Sequence, residues 1–171
     1  MLLALAGASL LAVGAALAAP SYVIQADVNI GGFKVKRDGT LGGATGVLGR
    51  PTSKRLKGHV CHVGWRSFGV RMTFYNLGGQ PACSDSTGYF GSATVTGRLW
   101  RTSVGLRVGD GVTRLRRLYP SAAYPAGSGF PSGWWLVPRF TQATGRYPGL
   151  LARVQRGRVS ALEVYYQAGG E

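Results

Sequence analysis

The chain has 171 residues, with 20 Lys and Arg against 6 Asp and Glu, and a formal net charge of +14 at pH 7. Its hydrophobic content of 45% is enough to bury a core, and its few acids leave little for chemistry built on carboxylate clusters. Such a charge draws a protein to polyanions, although GC-rich coding by itself favours both Arg and Gly.

The first residues, MLLALAGASLLAVGAALAAPS, are uncharged and end in Ala16-Leu17-Ala18, a small-x-small pattern that signal peptidase accepts. We read residues 1–18 as a secretory signal peptide cut near Ala18/Ala19. The basic stretch that usually precedes such a segment is missing, and left uncleaved the run would be about 18–20 residues long, enough to anchor in a membrane. Membrane contact is expected only in that case. The mature part, about 150 residues, suits one domain or two small modules that share a core. We expect two, residues 19–103 and 104–171.

Ser21 to Ile30 reads as one strand, with Tyr22, Ile24, Ala26, Val28 and Ile30 on one face. Phe33-x-Val35 reads as a second. Arg37-Asp38-Gly39-Thr40 supplies a turn and a capping hydroxyl, and Leu41, Ala44, Val47 and Leu48 recur at helical spacing. Thr52 to Gly58 is expected as a basic loop. Two strands follow, in which Val60, His62 and Gly64 alternate with Cys61, Val63 and Trp65, then Val70, Met72 and Phe74 with Arg71, Thr73 and Tyr75. Ser92 to Thr96 is another strand.

The segment from Val104 to Tyr119, VGLRVGDGVTRLRRLY, repeats the order of parts of Gly32 to Leu48. Leu106-x-Val108 echoes Phe33-x-Val35, and Val112, Leu115, Leu118 and Tyr119 echo the first helix. Asp110 is placed to cap this second helix, Arg114, Arg116 and Arg117 point away from its apolar stripe, and Pro120 ends it. After the Pro/Gly/Ser-rich stretch from Tyr119 to Gly133 come an apolar strand, Trp134 to Val137, and a hairpin of Leu150–Val154 and Val159–Tyr166. The fold class is therefore α+β: two tandem strand–helix–antiparallel-sheet modules, helices packed on one face of the sheet.

Cys61 and Cys83 are the only cysteines, and an exported chain with an even count pairs them. A zinc site using His59, Cys61 and His62 lacks a second ligand beside Cys83, so we expect no metal and no cofactor. The acids Asp27, Asp38, Asp85, Asp110, Glu163 and Glu171 offer one conceivable glycosidase pair, Asp27 with Glu163 on facing strands, giving a cell-wall-active hydrolase as the alternative reading. No nucleophile elbow or phosphate loop is present in the mature region. The arginines are spread along the chain rather than gathered on one groove-entering element, which disfavours nucleic acid.

The motif LRVGDGVTRLRRLYP, its upstream copy and the Cys61–Cys83 pair resemble the tandem modules of the beta-lactamase inhibitory protein family and of the small lipoproteins of outer-membrane assembly. The resemblance covers most of Gly32 to Tyr166. It implies a non-enzymatic module that binds partners through an exposed sheet face, with no catalytic residues to carry over. This chain departs from it in having no cysteines in the second module and no Met in the second helix turn.

One of the adjacent tryptophans Trp134 and Trp135 must face each side of a strand, so one is expected at the surface near Tyr165 or Tyr166. Those four aromatics, with the outward Arg114 and Arg117, are the candidate contact residues. The expected function is a secreted binding protein whose partner is an extracellular protein or an anionic envelope polymer. A structural envelope protein held by charge alone is a further alternative.

Overall fold

The computed structural model describes residues 21–36, 39–76, 78–125, 131–142 and 145–166. The expected leader, the Arg37–Asp38 turn and the centre of the Tyr119–Gly133 stretch lie outside the described residues. The architecture is α+β, rich in antiparallel sheet, with two short helices.

The N-terminal segment is a hairpin where one strand was expected. β1 (Val23–Gln25) turns at Ala26, whose φ is 42°, and returns as β2 (Asn29–Ile30), so that Ile24 opposes Ile30. Folding back still buries both isoleucines completely, whereas Val28 is left 49% exposed at the bend. β3 (Phe33–Lys34) pairs with β2, and β8 (Arg101–Thr102) lies parallel to β1, making a small sheet in the order β3-β2-β1-β8.

Helix α1 (Leu41–Leu48) starts as expected, with the Gly43 amide donating to Thr40 Oγ1 at 3.2 Å. Its glycine content has a local reason at Gly42, whose amide donates to Asp85 O at 2.9 Å; an added Cβ would sit 2.8 Å from that oxygen. Leu41, Ala44 and Leu48 are buried. The helix ends at Gly49, whose carbonyl accepts from Trp65 Nε1 at 2.8 Å.

The expected basic loop is a strand, β4 (Ser53–Lys57), paired along its whole length with β5 (Val60–Trp65). All five β4 side chains are exposed, so no alternation marked it; a lysine-rich edge strand also deters unwanted pairing. A single 3₁₀ turn (Arg66–Phe68) leads to β6 (Val70–Tyr75), and the disulfide between Cys61 and Cys83 ties β5 to the loop before β7 (Tyr89–Val95).

Two expectations about the second helix region need correction. Leu106-x-Val108 is not a strand, because Thr102 and Leu106 close a turn on each other: Thr102 N donates to Leu106 O at 2.8 Å and Leu106 N to Thr102 Oγ1 at 3.1 Å. Asp110 does not cap α2 (Val112–Leu118) either, since the N-cap is Gly111 and makes no side-chain hydrogen bond. The first helical amide, Val112 N, is satisfied instead by Gly157 O at 3.1 Å, and Asp110 Oδ2 accepts from Arg107 N at 2.8 Å. Gly157 belongs to the turn between β10 (Gly145–Gln155) and β11 (Arg158–Tyr165), so a distant hairpin does the capping.

With β9 (Trp134–Thr141) these strands form one seven-stranded antiparallel sheet in the order β4-β5-β6-β7-β11-β10-β9. Val63, Trp65, Val70, Met72, Ala93, Val95, Leu162, Val164, Leu150 and Ala152 alternate onto one face and join a core that includes Leu41, Ala44 and Leu48 of α1, Leu115 of α2 and Ile24 and Ile30 of the small sheet. Trp100 is fully buried in the same core and donates its Nε1 proton to Phe68 O at 2.8 Å.

Since Leu115 is the one fully buried residue of α2, Leu115→Ala should cost about 2–5 kcal/mol in urea unfolding. Arg117→Ala, on the exposed side of the same helix, should stay within about 0.5 kcal/mol.

Candidate functional site

Alternation along the strands that build the core puts a different set of residues on the opposite face of the large sheet. One row runs directly across it through Ser53, Gly64, Arg71, Thr94, Glu163, Leu151 and Trp135, each opposite the next in the strand register. A second row runs through Arg55, His62, Thr73, Ser92 and Tyr165. Lys57, Val60, Tyr75 and Tyr89 follow at one end.

Two shallow depressions mark this face. One, of ≈ 450 Å³, is lined by Ser53, Arg55, His62, Gly64, Arg71 and Thr73 among others. The second, of ≈ 570 Å³, reaches from Arg71, Thr94 and Thr96 to Tyr124, Arg153 and Glu163. Arg71 and Thr94 line both, so together they form one trough with Arg71 in the middle. Its floor is made of short side chains: Ser53 Oγ lies 2.6 Å from where a Cβ on Gly64 would be, and Thr73 Oγ1 and Ser92 Oγ are 2.7 Å apart. Tyr75 lies against Gly91, where any side chain would run into its ring.

Arg55, Lys57, Arg71 and Arg153 share this face with one carboxylate, Glu163. That carboxylate is 8% exposed and fully engaged: Arg153 Nε donates to Oε1 at 2.9 Å and Tyr165 OH to Oε2 at 2.6 Å. Arg153 NH1 also donates to Ser132 Oγ at 2.7 Å and to Ser132 O, which fastens the segment before β9 to the sheet. Burial, then the hydrogen bond to Glu163, pushes the Tyr165 phenol up to about 12. The same carboxylate holds the Arg153 guanidinium above its ordinary value. With Glu163 consumed in this way, the Arg55 and Arg71 guanidiniums form no ion pair among the described residues.

The expected contact residues are dispersed. Trp135 is on the open face but only 5% exposed, because the chain folds back over the sheet edge: Trp135 N donates to Ala123 O at 2.8 Å and its Nε1 to Pro131 O at 3.3 Å. Trp134 is half-buried on the core side, with the Arg116 guanidinium 5.0 Å from its ring centroid and Tyr124 edge-on at 6.0 Å. Neither tryptophan is a free surface anchor, since Ala123 and Pro131 hold Trp135 and Arg116 and Tyr124 lie against Trp134. Tyr165 is half-buried and held by Glu163, and Tyr166 packs against the core. Arg114 is tied to Asp110 at 3.0 Å; Arg117 is exposed on α2, apart from the trough.

Asp27 and Glu163, the conceivable carboxylate pair, each bind an arginine. Asp27 accepts a forked contact from Arg139, with Nε at 3.1 Å and NH2 at 2.9 Å from Oδ1, and this hydrogen bonding holds Arg139 above its ordinary value. Each carboxylate is committed to its own arginine. His59 and His62 are exposed beside the disulfide, and no group of three His, Cys, Asp or Glu is poised for a metal among the described residues.

The residues missed from sequence are Arg55, Arg71, Tyr75, Tyr89, Thr94 and Arg153. The alternation of Arg71, Thr73 and Tyr75 against Val70, Met72 and Phe74 was a usable signal for part of them. Nothing local places Arg153 beside Thr94.

Because Tyr165 is protonated more tightly in the folded state, its contribution is complete below pH 10, the ordinary phenol value. It is lost as pH rises through about 12. Urea midpoints measured across that window should fall for the wild type and fall less for Tyr165→Phe.

Comparison with protein-family models, with curated proteins and with solved structures finds no match for this chain.

Proposed function

We propose that this chain is an exported, non-enzymatic binding protein that holds an anionic polymer of the cell envelope on the open face of its large sheet. The carrying observation is the trough centred on Arg71, where unpaired guanidiniums stand over a floor of hydroxyls and glycine. Export is supported by the apolar leader in the sequence and by the Cys61–Cys83 disulfide, a bond that persists in oxidising compartments. Among the described residues no helix is long and apolar enough to cross a membrane.

The binding reading also draws on the chemistry of the acids. Asp27 and Glu163 serve as anchors for Arg139 and Arg153, which suits scaffold better than proton transfer. Two tandem modules fit the element order, since α1 precedes the β4–β7 meander, α2 precedes β9–β11, and the last strand of each lies beside the other at the centre of the sheet. An exposed sheet face as the contact surface is what the family resemblance implies.

Binding of the purified protein to isolated anionic wall polymer, followed at about 0.1 M salt, tests this. Arg71→Glu should weaken it about tenfold or more, as loss of a charge-assisted contact does. Lys34→Glu, which makes the same charge change on the small sheet, should have a much smaller effect. Equal weakening by both variants, with all retention gone at about 1 M salt where screening reaches about 3 Å, would show a protein held by net charge and overturn the proposal.

A further inference from the structure

The composition of the open face separates two kinds of acidic partner, a protein segment and a polysaccharide. Protein interfaces centre on desolvated apolar or aromatic anchors ringed by polar groups. Here the arrangement is reversed. The large apolar side chains of this face, Leu151 and Trp135, are covered at its far edge. The middle is occupied by Arg71, Arg55, Thr73, Ser92 and Thr94, which bring guanidinium donors and hydroxyl oxygens over a lining that also includes Val63 and Met72.

Exposed tyrosine rings flank that middle: Tyr124, 57% exposed, lines the second depression, and a pair of rings stands beyond the first. Tyr75 and Tyr89 oppose each other across β6 and β7, 41% and 61% exposed, with Tyr75 seated on Gly91. A glycine under the ring lets it lie close to the backbone while leaving area open to solvent. From β4 to β11 the face spans about 19 Å at about 4.8 Å per strand, enough for several linked sugar rings.

We infer that the occupant of the trough is an acidic polysaccharide chain, with one sugar ring against Tyr75 and Tyr89, its acidic groups on Arg71 and Arg55, and its hydroxyls on the Thr73, Ser92 and Thr94 oxygens. Aromatic faces suit the C–H surface of a sugar ring, and guanidinium forks bind carboxylate bidentately. A flexible acidic peptide could use the arginines, but it has no saturated ring to place on the tyrosines and no ladder of hydroxyls to match those of the floor. This inference rests on the open face being the binding surface.

Calorimetric titration at about 0.1 M salt with hexagalacturonate, hexaglutamate and maltohexaose tests it. Hexagalacturonate should bind, hexaglutamate about tenfold or more weakly than that, and the neutral maltohexaose weakest of the three. Tyr75→Ala with Tyr89→Ala should weaken hexagalacturonate about fivefold or more and leave hexaglutamate unchanged, while the double Phe variant restores binding. Circular dichroism and thermal unfolding of each variant confirm that the fold is intact. Hexaglutamate binding as tightly as hexagalacturonate, with the tyrosine variants indifferent, would overturn the polysaccharide and leave the open face standing as a site for an acidic protein segment. Arg71→Glu leaving both acidic ligands unaffected would overturn the open face itself.

Discussion

The pairing of β7 with β11 is the contact on which the rest of the architecture depends. It sets Val95 opposite Leu162, Thr94 opposite Glu163, Ala93 opposite Val164 and Ser92 opposite Tyr165. Through it two meanders distant in sequence become one sheet. Their apolar faces then coincide, so Val70 and Val95 continue into Leu162 and Ala152 as one buried row. A slip of β11 by one residue would send Leu162 and Val164 to the open face and Glu163 into the core, which strongly specifies the register. The trough on the other face is the by-product of the same alignment, because Arg71 and Thr94 meet Glu163 and Arg153 only across that seam.

Arginine does two different jobs in this molecule. Asp27, Asp110 and Glu163 each bind an arginine, and those pairs lie where separate parts of the chain must be held: Arg139 brings β9 to the β1–β2 turn, Arg114 closes the turn before α2, and Arg153 fastens the segment before β9. The Arg139–Asp27 pair is forked and so adds orientation as well as energy. With so few acids in the chain, these pairs leave Arg55 and Arg71 without an acidic partner among the described residues. Cationic character is therefore concentrated by subtraction: where acids are used as clamps, the positive residues beyond their reach dominate the surface.

The two edges of the sheet are managed differently. β4 carries Lys54, Arg55 and Lys57 on an exposed edge, and like charges discourage another strand from adding there. At β9 the chain itself pairs with the edge through Ala123 and Trp135 and hides the indole beneath it. That covering explains why the most conspicuous aromatic pair in the sequence, Trp134-Trp135, serves packing, while the less conspicuous Tyr75 and Tyr89 keep exposed rings.

Much of the fold was legible because local patterns and packing agreed. Leu41, Ala44 and Leu48 at helical spacing behind Thr40, the alternation of β5 and β6, the β10–β11 hairpin around Arg156-Gly157 and the Cys61–Cys83 bond all follow from residue type and spacing. The misreadings have one cause. β4 has no buried face to impose a period, the β1–β2 bend keeps the same alternation as a straight strand, and the Val112 amide is capped by Gly157 from the far hairpin rather than by the adjacent Asp110. The sequence by itself determined which residues are apolar, at what period, and that the chain is strongly basic. Only the tertiary structure decided which polar residues share a face, because the cross-strand neighbours of Arg71 are chosen by sheet order, and sheet order is a contest among long-range apolar pairings that no local window contains.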